Sequence, residues 1–183
     1  MIKRSEIKAF QKQVANVMAA ANIFLTEDEK AKLEIADFGM GEFEKTGLGL
    51  MVYENNKRYC AKDLVMWPGQ TCPEHRHPPV GNDPGKMETF RVRTGRVFLY
   101  VEGTPARKVQ ATIPAGSEPY YKVFHEIDLK PGEQYTIPSN TWHWFQAGPD
   151  GAIVSEFSST SRDEMDEFRD PRIERIPKID EDE

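Results

Sequence analysis

The chain has 183 residues and a net charge of −6 at neutral pH, a length that fits one domain. The acidic balance, with no Lys/Arg cluster, argues against a nucleic-acid binder. No run of about 18 apolar residues offers a transmembrane helix, and the start, Met1-Ile2-Lys3-Arg4-Ser5-Glu6, lacks the apolar stretch of a secretory signal. Cys60 and Cys72 make no disulfide framework and fit a reducing, cytoplasmic setting.

The first forty or so residues read as helical. Ile7, Phe10, Val14, Val17, Met18 and Ala21 form one apolar stripe, with Ser5 as the expected N-cap. Thr26-Glu27-Asp28-Glu29 is a capping-box pattern that opens a second, shorter helix carrying Leu33. From Gly47 the pattern changes to strands. Leu48–Tyr53 and Arg58–Trp67 flank a turn at 54–57, and the His75 segment and a strand from Glu88 follow. Thr94-Gly95 is expected to turn into Arg96–Val101. Residues 103–121, with three prolines, read as a long excursion. Tyr121–Leu129, Gln134–Ile137, Trp142–Ala147 and Ala152–Phe157 complete the strands, and the short turns between most of them predict antiparallel pairing. The reading is a single mainly β domain over 1–174, with a helical extension (1–46), a barrel (47–160) and a C-terminal segment (161–174). Residues 175–183 are expected to be a frayed acidic tail.

His75 and His77 stand one residue apart, so an extended strand points both at one face. Glu88 comes after a loop rich in proline and glycine and alternates with Phe90 and Val92. A carboxylate on an apolar face is costly to bury without a partner. His143 follows the Pro138-Ser139-Asn140 turn. Each residue alone has a bland reading, a chance surface pair or a satisfied core histidine. Together they make a three-imidazole, one-carboxylate set that suits a divalent transition metal.

Two stretches carry a resemblance to the cupin superfamily. Gly69, five residues, His75-x-His77, then Glu88, six residues, Gly95 is similar to its first motif; Gly132, five residues, Pro138, then His143 is similar to its second. The gap from His77 to Glu88 is longer than usual. Asn140 replaces the usual glycine, and asparagine tolerates the same left-handed turn. The resemblance implies a double-stranded β-helix, or jelly-roll barrel, with the N-terminal helices packed on it. His75-Arg76-His77-Pro78-Pro79, Lys86–Phe90, Tyr135–Pro138, His143–Gly148 and Val154–Ser161 look more narrowly like the cupin D-lyxose isomerases. That likeness implies interconversion of D-lyxose with D-xylulose, and of D-mannose with D-fructose, at a divalent ion, commonly manganese, with cobalt, iron or zinc as alternatives. It also implies a homodimer, for which an apolar N-terminal helix and exposed tryptophans would provide surface.

Aldose–ketose isomerisation needs a base that moves a proton between neighbouring carbons. Glu156 alternates with Val154 and Ser158 and is the candidate base, unless that face is the wet one. Lys86, two residues before Glu88, is the candidate acid; its bland reading is a loop-edge lysine. In lyxose isomerases a lysine two before the metal glutamate and a glutamate on a late strand are the proposed acid/base pair, which the resemblance transfers to Lys86 and Glu156. Lys86, Glu88, His125, Glu156 and Phe90 are expected to contact the sugar, with Phe145 joining Phe90 as a dry wall. His125 is equally read as a core histidine. Lys62 and the run Asp163, Asp166, Asp170 are read as solvated, although they could line the mouth. Trp142 and Trp144 are expected on the outer face of the sheet. No phosphate cradle is evident, which favours a neutral sugar. Two other readings remain open on these residues, an iron-dependent cupin dioxygenase and a sugar-binding cupin without catalysis.

Overall fold

The computed structural model describes residues 1–182. In chain order the elements are β1 (Ile2–Lys3), α1 (Arg4–Ala20), α2 (Glu27–Lys32), β2 (Glu34–Ala36), β3 (Leu48–Asn55), β4 (Cys60–Met66), β5 (Thr71–Arg76), β6 (Glu88–Val101), β7 (His125–Leu129), β8 (Gln134–Ile137), β9 (His143–Ser158), β10 (Glu167–Phe168) and β11 (Ile179–Asp180).

Two long strands organise the barrel. β6 and β9 pair antiparallel from Glu88↔Ser158 to Val101↔His143. The first half of β9 also pairs with β5 and the second half with β4. The first half of β6 pairs with β8 and the second with β7. The sheet continues from β4 through β3 to β2, and from β5 to β10. Thr94-Gly95 is therefore not the expected turn, and Trp142–Ala147 and Ala152–Phe157 belong to one continuous strand. The ladder shifts register at Val92/Thr94 and Gly95/Val97 instead of breaking. Gly95 makes this possible. Its φ is +74°, and a Cβ there would lie 1.9 Å from the Gly151 carbonyl oxygen, so only glycine lets the two bulged strands close on each other.

Both faces of these strands are covered, which is why they read as apolar runs. Leu50, Leu64, Val92, Leu99, Leu129, Phe145 and Val154 fill the barrel interior. On the other side, Met51, Val65 and Ile153 meet Ile7, Val14 and Met18 of α1. Close approach of α1 depends on Gly49, where a Cβ would lie 2.5 Å from a Val14 methyl. Farther along, Phe98, Tyr100 and Trp144 are roofed by Val109, Ala111, Ile113, Tyr121 and Val123 of the excursion after β6.

The termini depart from the sequence-based expectation. α1 starts at Arg4, and Ser5 lies inside its first turn, where its hydroxyl meets Asp182 rather than capping the helix. The capping box at Thr26 forms, but Leu33 is the C-cap and Glu34–Ala36 is a strand on β3, because that pairing buries Leu33 and Ile35 together. The expected frayed tail is docked over its described length. Ile179–Asp180 pairs parallel with Ile2–Lys3, and Glu181 binds Arg4. Glu183 lies outside the described residues. Most of the helix stripe packs on the chain's own sheet, with Val17 left exposed, and Trp144 is wholly buried rather than exposed while Trp142 is partly buried.

Candidate active site

The ends of β5, β6 and β9 converge at one mouth of the barrel. His75 pairs directly with His143 across β5 and β9, and Val101 of β6 pairs with His143 on its other side. Asn140 holds the left-handed conformation anticipated for it, with φ +57°, and so turns the chain into β9 just before His143. Ligand atoms of His75, His77, Glu88 and His143 all lie within 4.8 Å of one another, and all four residues are buried.

The hydrogen bonds of the rings show what this cluster suits. His75 Nδ1 lies 2.8 Å from the Pro73 carbonyl oxygen and His143 Nδ1 lies 2.9 Å from that of Thr141. A carbonyl can only accept, so each Nδ1 carries a proton and Nε2 is the ring atom left to face the cluster. His143 Nε2 is buried with no hydrogen-bond partner. It nonetheless sits 2.9 Å from Glu88 Oε1, and His77 Nε2 lies 3.2 Å from the same oxygen. Ring nitrogens gathered around one carboxylate oxygen in a dry site are a donor set that suits a cation between them. Without a metal ion, the site draws positive charge onto His77 itself. Burial and the Lys86 charge push the His77 pKa down, yet Glu88 and Asp166 outweigh them and raise it to about 9. Burial, then His143 and His77, push the His75 pKa well below its ordinary value. The residues therefore fit a divalent metal ion.

A cavity opens beside the cluster. Phe38, Phe90, Phe145 and Phe168 give it an apolar wall, and Lys86 and Glu156 line it. Lys86 Nζ is 2.9 Å from Glu156 Oε1 and 2.6 Å from Glu88 Oε2. Burial opposes the lysine's charge, but Glu156 and Glu88 hold its pKa well above the ordinary value. Burial likewise opposes ionisation of Glu88, and Lys86 and His77 reverse it. Lys86 and Glu156 are thus interior, neither at a loop edge nor on a wet face.

Several residues differ from the sequence reading. Lys62 is not solvated. It is 3 % exposed, with Nζ 3.3 Å from Asp163 Oδ2 and 3.8 Å from Glu156 Oε1. Strand register explains this, because Lys62 lies opposite Glu156 across β4 and β9. Asp163 and Asp166 also line the cavity, while Asp170 is held by Arg172 outside it. Arg175, assigned from sequence to the tail, bridges Asp163 and Glu34 and lines the same cavity. The opposite correction applies to His125. It is absent from the cavity lining; its Nδ1 bonds the Thr104 carbonyl oxygen at 2.9 Å, and the missing side chain of Gly103 makes room for its ring. Its alternation with Ile127 is real, but at the strand end the ring turns toward the excursion. Period-2 alternation could have found Lys62, which is in phase with Leu64. No local pattern marks Asp163, Asp166 or Arg175, which reach the site through long-range contacts.

A β-barrel with three histidines and one glutamate gathered at its mouth is the cupin arrangement, and a buried Lys–Glu pair lies next to it. Residues 25–183 match the family described as D-lyxose isomerase. The chain is 61% identical over 179 residues to the D-lyxose/D-mannose isomerase of Thermosediminibacter oceani, covering 98% of this chain and 99% of that protein. It is 62% identical over 178 residues to the D-lyxose ketol-isomerase of Cohnella laeviribosi, covering 97% and 98%. Among solved structures, L-ribose isomerase from Cellulomonas parahominis superposes with a TM-score of 0.78 at 17% identity, covering 93% of this chain and 94% of the other, a likeness of fold. The chain belongs to the D-lyxose isomerase family and is an aldose–ketose isomerase acting on a monosaccharide. The dioxygenase and non-catalytic readings are thereby set aside.

Proposed function

We propose that this isomerase interconverts D-lyxose with D-xylulose, and D-mannose with D-fructose, with a divalent ion, manganese first among the choices, held by His75, His77, Glu88 and His143. The observation that carries the mechanism is the Glu156 carboxylate, 3 % exposed, placed in the cavity with Lys86 Nζ at 2.9 Å. The names of the relatives at 61% and 62% identity support the choice of sugar.

When bound, a divalent ion supplies Lewis acidity, polarising a carbonyl and favouring negative charge on oxygen. The chain's own residues supply the proton movements. Glu156 takes the proton from C2 of the open-chain aldose; the electron pair of that C–H bond becomes the C1–C2 double bond as O1 gains a proton. Return of the proton from Glu156 to C1, with loss of the O2 proton, gives the ketose. Lys86, positively charged between two carboxylates, is placed to donate to the sugar oxygen that gains charge. Phe90 and Phe145 meet edge to face at 5.0 Å and present apolar surface to the cavity. The cavity also holds Lys62 and Arg175, so the four carboxylates lining it face three cationic side chains, and a divalent ion tips the balance positive. That suits a neutral polyol whose oxygens gain charge.

The test is to strip the protein with a chelator, reload it with single metals under anaerobic conditions, and follow D-lyxose. Manganese should restore D-xylulose formation without oxygen; activity unchanged by complete metal removal would sink the metal-dependent route. The homodimer rests on family resemblance, and light scattering tests it.

A further inference from the structure

Three of the imidazoles in the cluster are oriented through Nδ1, but not by the same kind of group. His75 and His143 bond backbone carbonyls of the residues two before them, Pro73 and Thr141. His77 instead bonds a carboxylate. Its Nδ1 is 2.5 Å from Asp166 Oδ1, and both side chains are 7 % exposed. Asp166 lies in the segment after β9, one residue before β10. The register explains the meeting. β10 lies antiparallel to β5 with Glu167 opposite Arg76 and Phe168 opposite His75. The next step of that ladder brings Asp166 opposite His77, at the spacing where facing side chains touch. The same short segment also covers His75, whose ring stacks on Phe168 with centroids 5.3 Å apart and planes at 24°. Glu167 then ties the edge down through Arg76.

We infer that Asp166 is a positioning residue for the metal centre, an inference that rests on reading His75, His77, Glu88 and His143 as ligands. Its carboxylate fixes the proton of His77 on Nδ1, aims Nε2 at the shared point beside Glu88, and makes that ring a stronger donor than one held by a neutral carbonyl. The segment after β9 is thus a working part of the metal site rather than a cover over it. Its neighbour Asp170 provides an internal control. That residue is also buried in the segment, yet its carboxylate is engaged by Arg172 and touches no ligand.

The experiment measures Mn²⁺ affinity by titration calorimetry for wild type, Asp166→Asn and Asp170→Asn, and records the ring N–H resonances of the Zn²⁺-loaded wild type. Loss of the charged partner should weaken Mn²⁺ binding by about 10–100-fold, with Asp170→Asn close to wild type. In the wild type His77 should carry its proton on Nδ1, with the most downfield ring N–H of the three ligands. If the wild type binds no divalent ion, the metal reading fails and the inference with it. If it binds and Asp166→Asn binds equally, the positioning role alone fails. Equal weakening by both variants would reduce Asp166 to a docking contact, and a His77 protonated on Nε2 in the loaded wild type would overturn the inference whether or not the variants fold.

Discussion

Lys86 shows how much a single side chain must reconcile. It is buried with its ammonium between Glu88 and Glu156, so it neutralises two carboxylates that would otherwise repel each other in a dry site. Lys86→Met should abolish turnover and destabilise the metal-free protein by about 3–5 kcal/mol, as removal of one partner from a buried ionic group does. Metal should recover part of that loss, because the ion then balances Glu88; denaturant titrations with and without Mn²⁺ read both quantities. Glu156→Gln tests the base itself. It should keep its metal content and lose about 10²–10⁴-fold in kcat, whereas a variant that turns over normally would remove Glu156 from the mechanism. Asp163 gives a pH prediction. Burial opposes its ionisation, but Lys62, Lys86 and Arg175 prevail and hold its pKa far below the usual carboxylate range. A depressed folded-state pKa adds stability that is present above the unfolded value near ~3.9 and is lost as pH falls below it. The stability gap between wild type and Asp163→Asn should therefore be widest near neutrality and shrink below about pH 4. A gap that grew on acidification would contradict this account. At this scale sequence was informative where alternation fixed direction. His75 with His77, Glu88 with Phe90, and Glu156 with Val154 could each be given a common face, because His75, Glu88 and Glu156 sit in strands and His77 follows directly after one. Lys62 obeys the same rule but was read as solvated, since a lysine is rarely buried unless carboxylates surround it, and those carboxylates lie far away in the chain.

Among elements, the pairing of β6 with β9 decides the architecture. Gly95 looked like a turn because a glycine after threonine between two apolar runs has the local chemistry of one. What it does instead is accept a left-handed bulge against Gly151. Turn and bulge demand the same backbone conformation, so one sequence signal serves both and only the partner strand separates them. Gly95→Ala should thus cost more than the about 1–2 kcal/mol of a left-handed non-glycine residue, since its Cβ also meets a carbonyl oxygen. Thermal melts should show a marked loss, and a melting temperature equal to wild type would show that the bulge can relax. The segment from β10 to β11 was the least legible part of the chain. Its charged residues match a solvated tail in composition, yet Arg175 and Asp163 pair across it, with Arg175 also held by Glu34. Composition cannot distinguish charges that face water from charges that face each other.

The molecule as a whole is a barrel with its terminal segments docked against it. β1 and β11 run side by side, α1 packs on the outer sheet, and Arg175 reaches from the C-terminal segment to the cavity wall. His75, Glu88, His143 and Glu156 come from strands far apart in sequence but paired in one sheet, and His77 and Lys86 lie within two residues of such strands, a frame suited to holding the proposed geometry. The central claim is that Glu156 shuttles one proton between C1 and C2 of an aldose. The most direct measurement is NMR of D-lyxose with the Mn²⁺-supplied enzyme in D2O, comparing wild type with Glu156→Gln. The account predicts D-xylulose carrying deuterium at C1 and D-lyxose gaining deuterium at C2, with both signals lost in the variant. Ketose formed without any deuterium, or formed equally well by the variant, would contradict it.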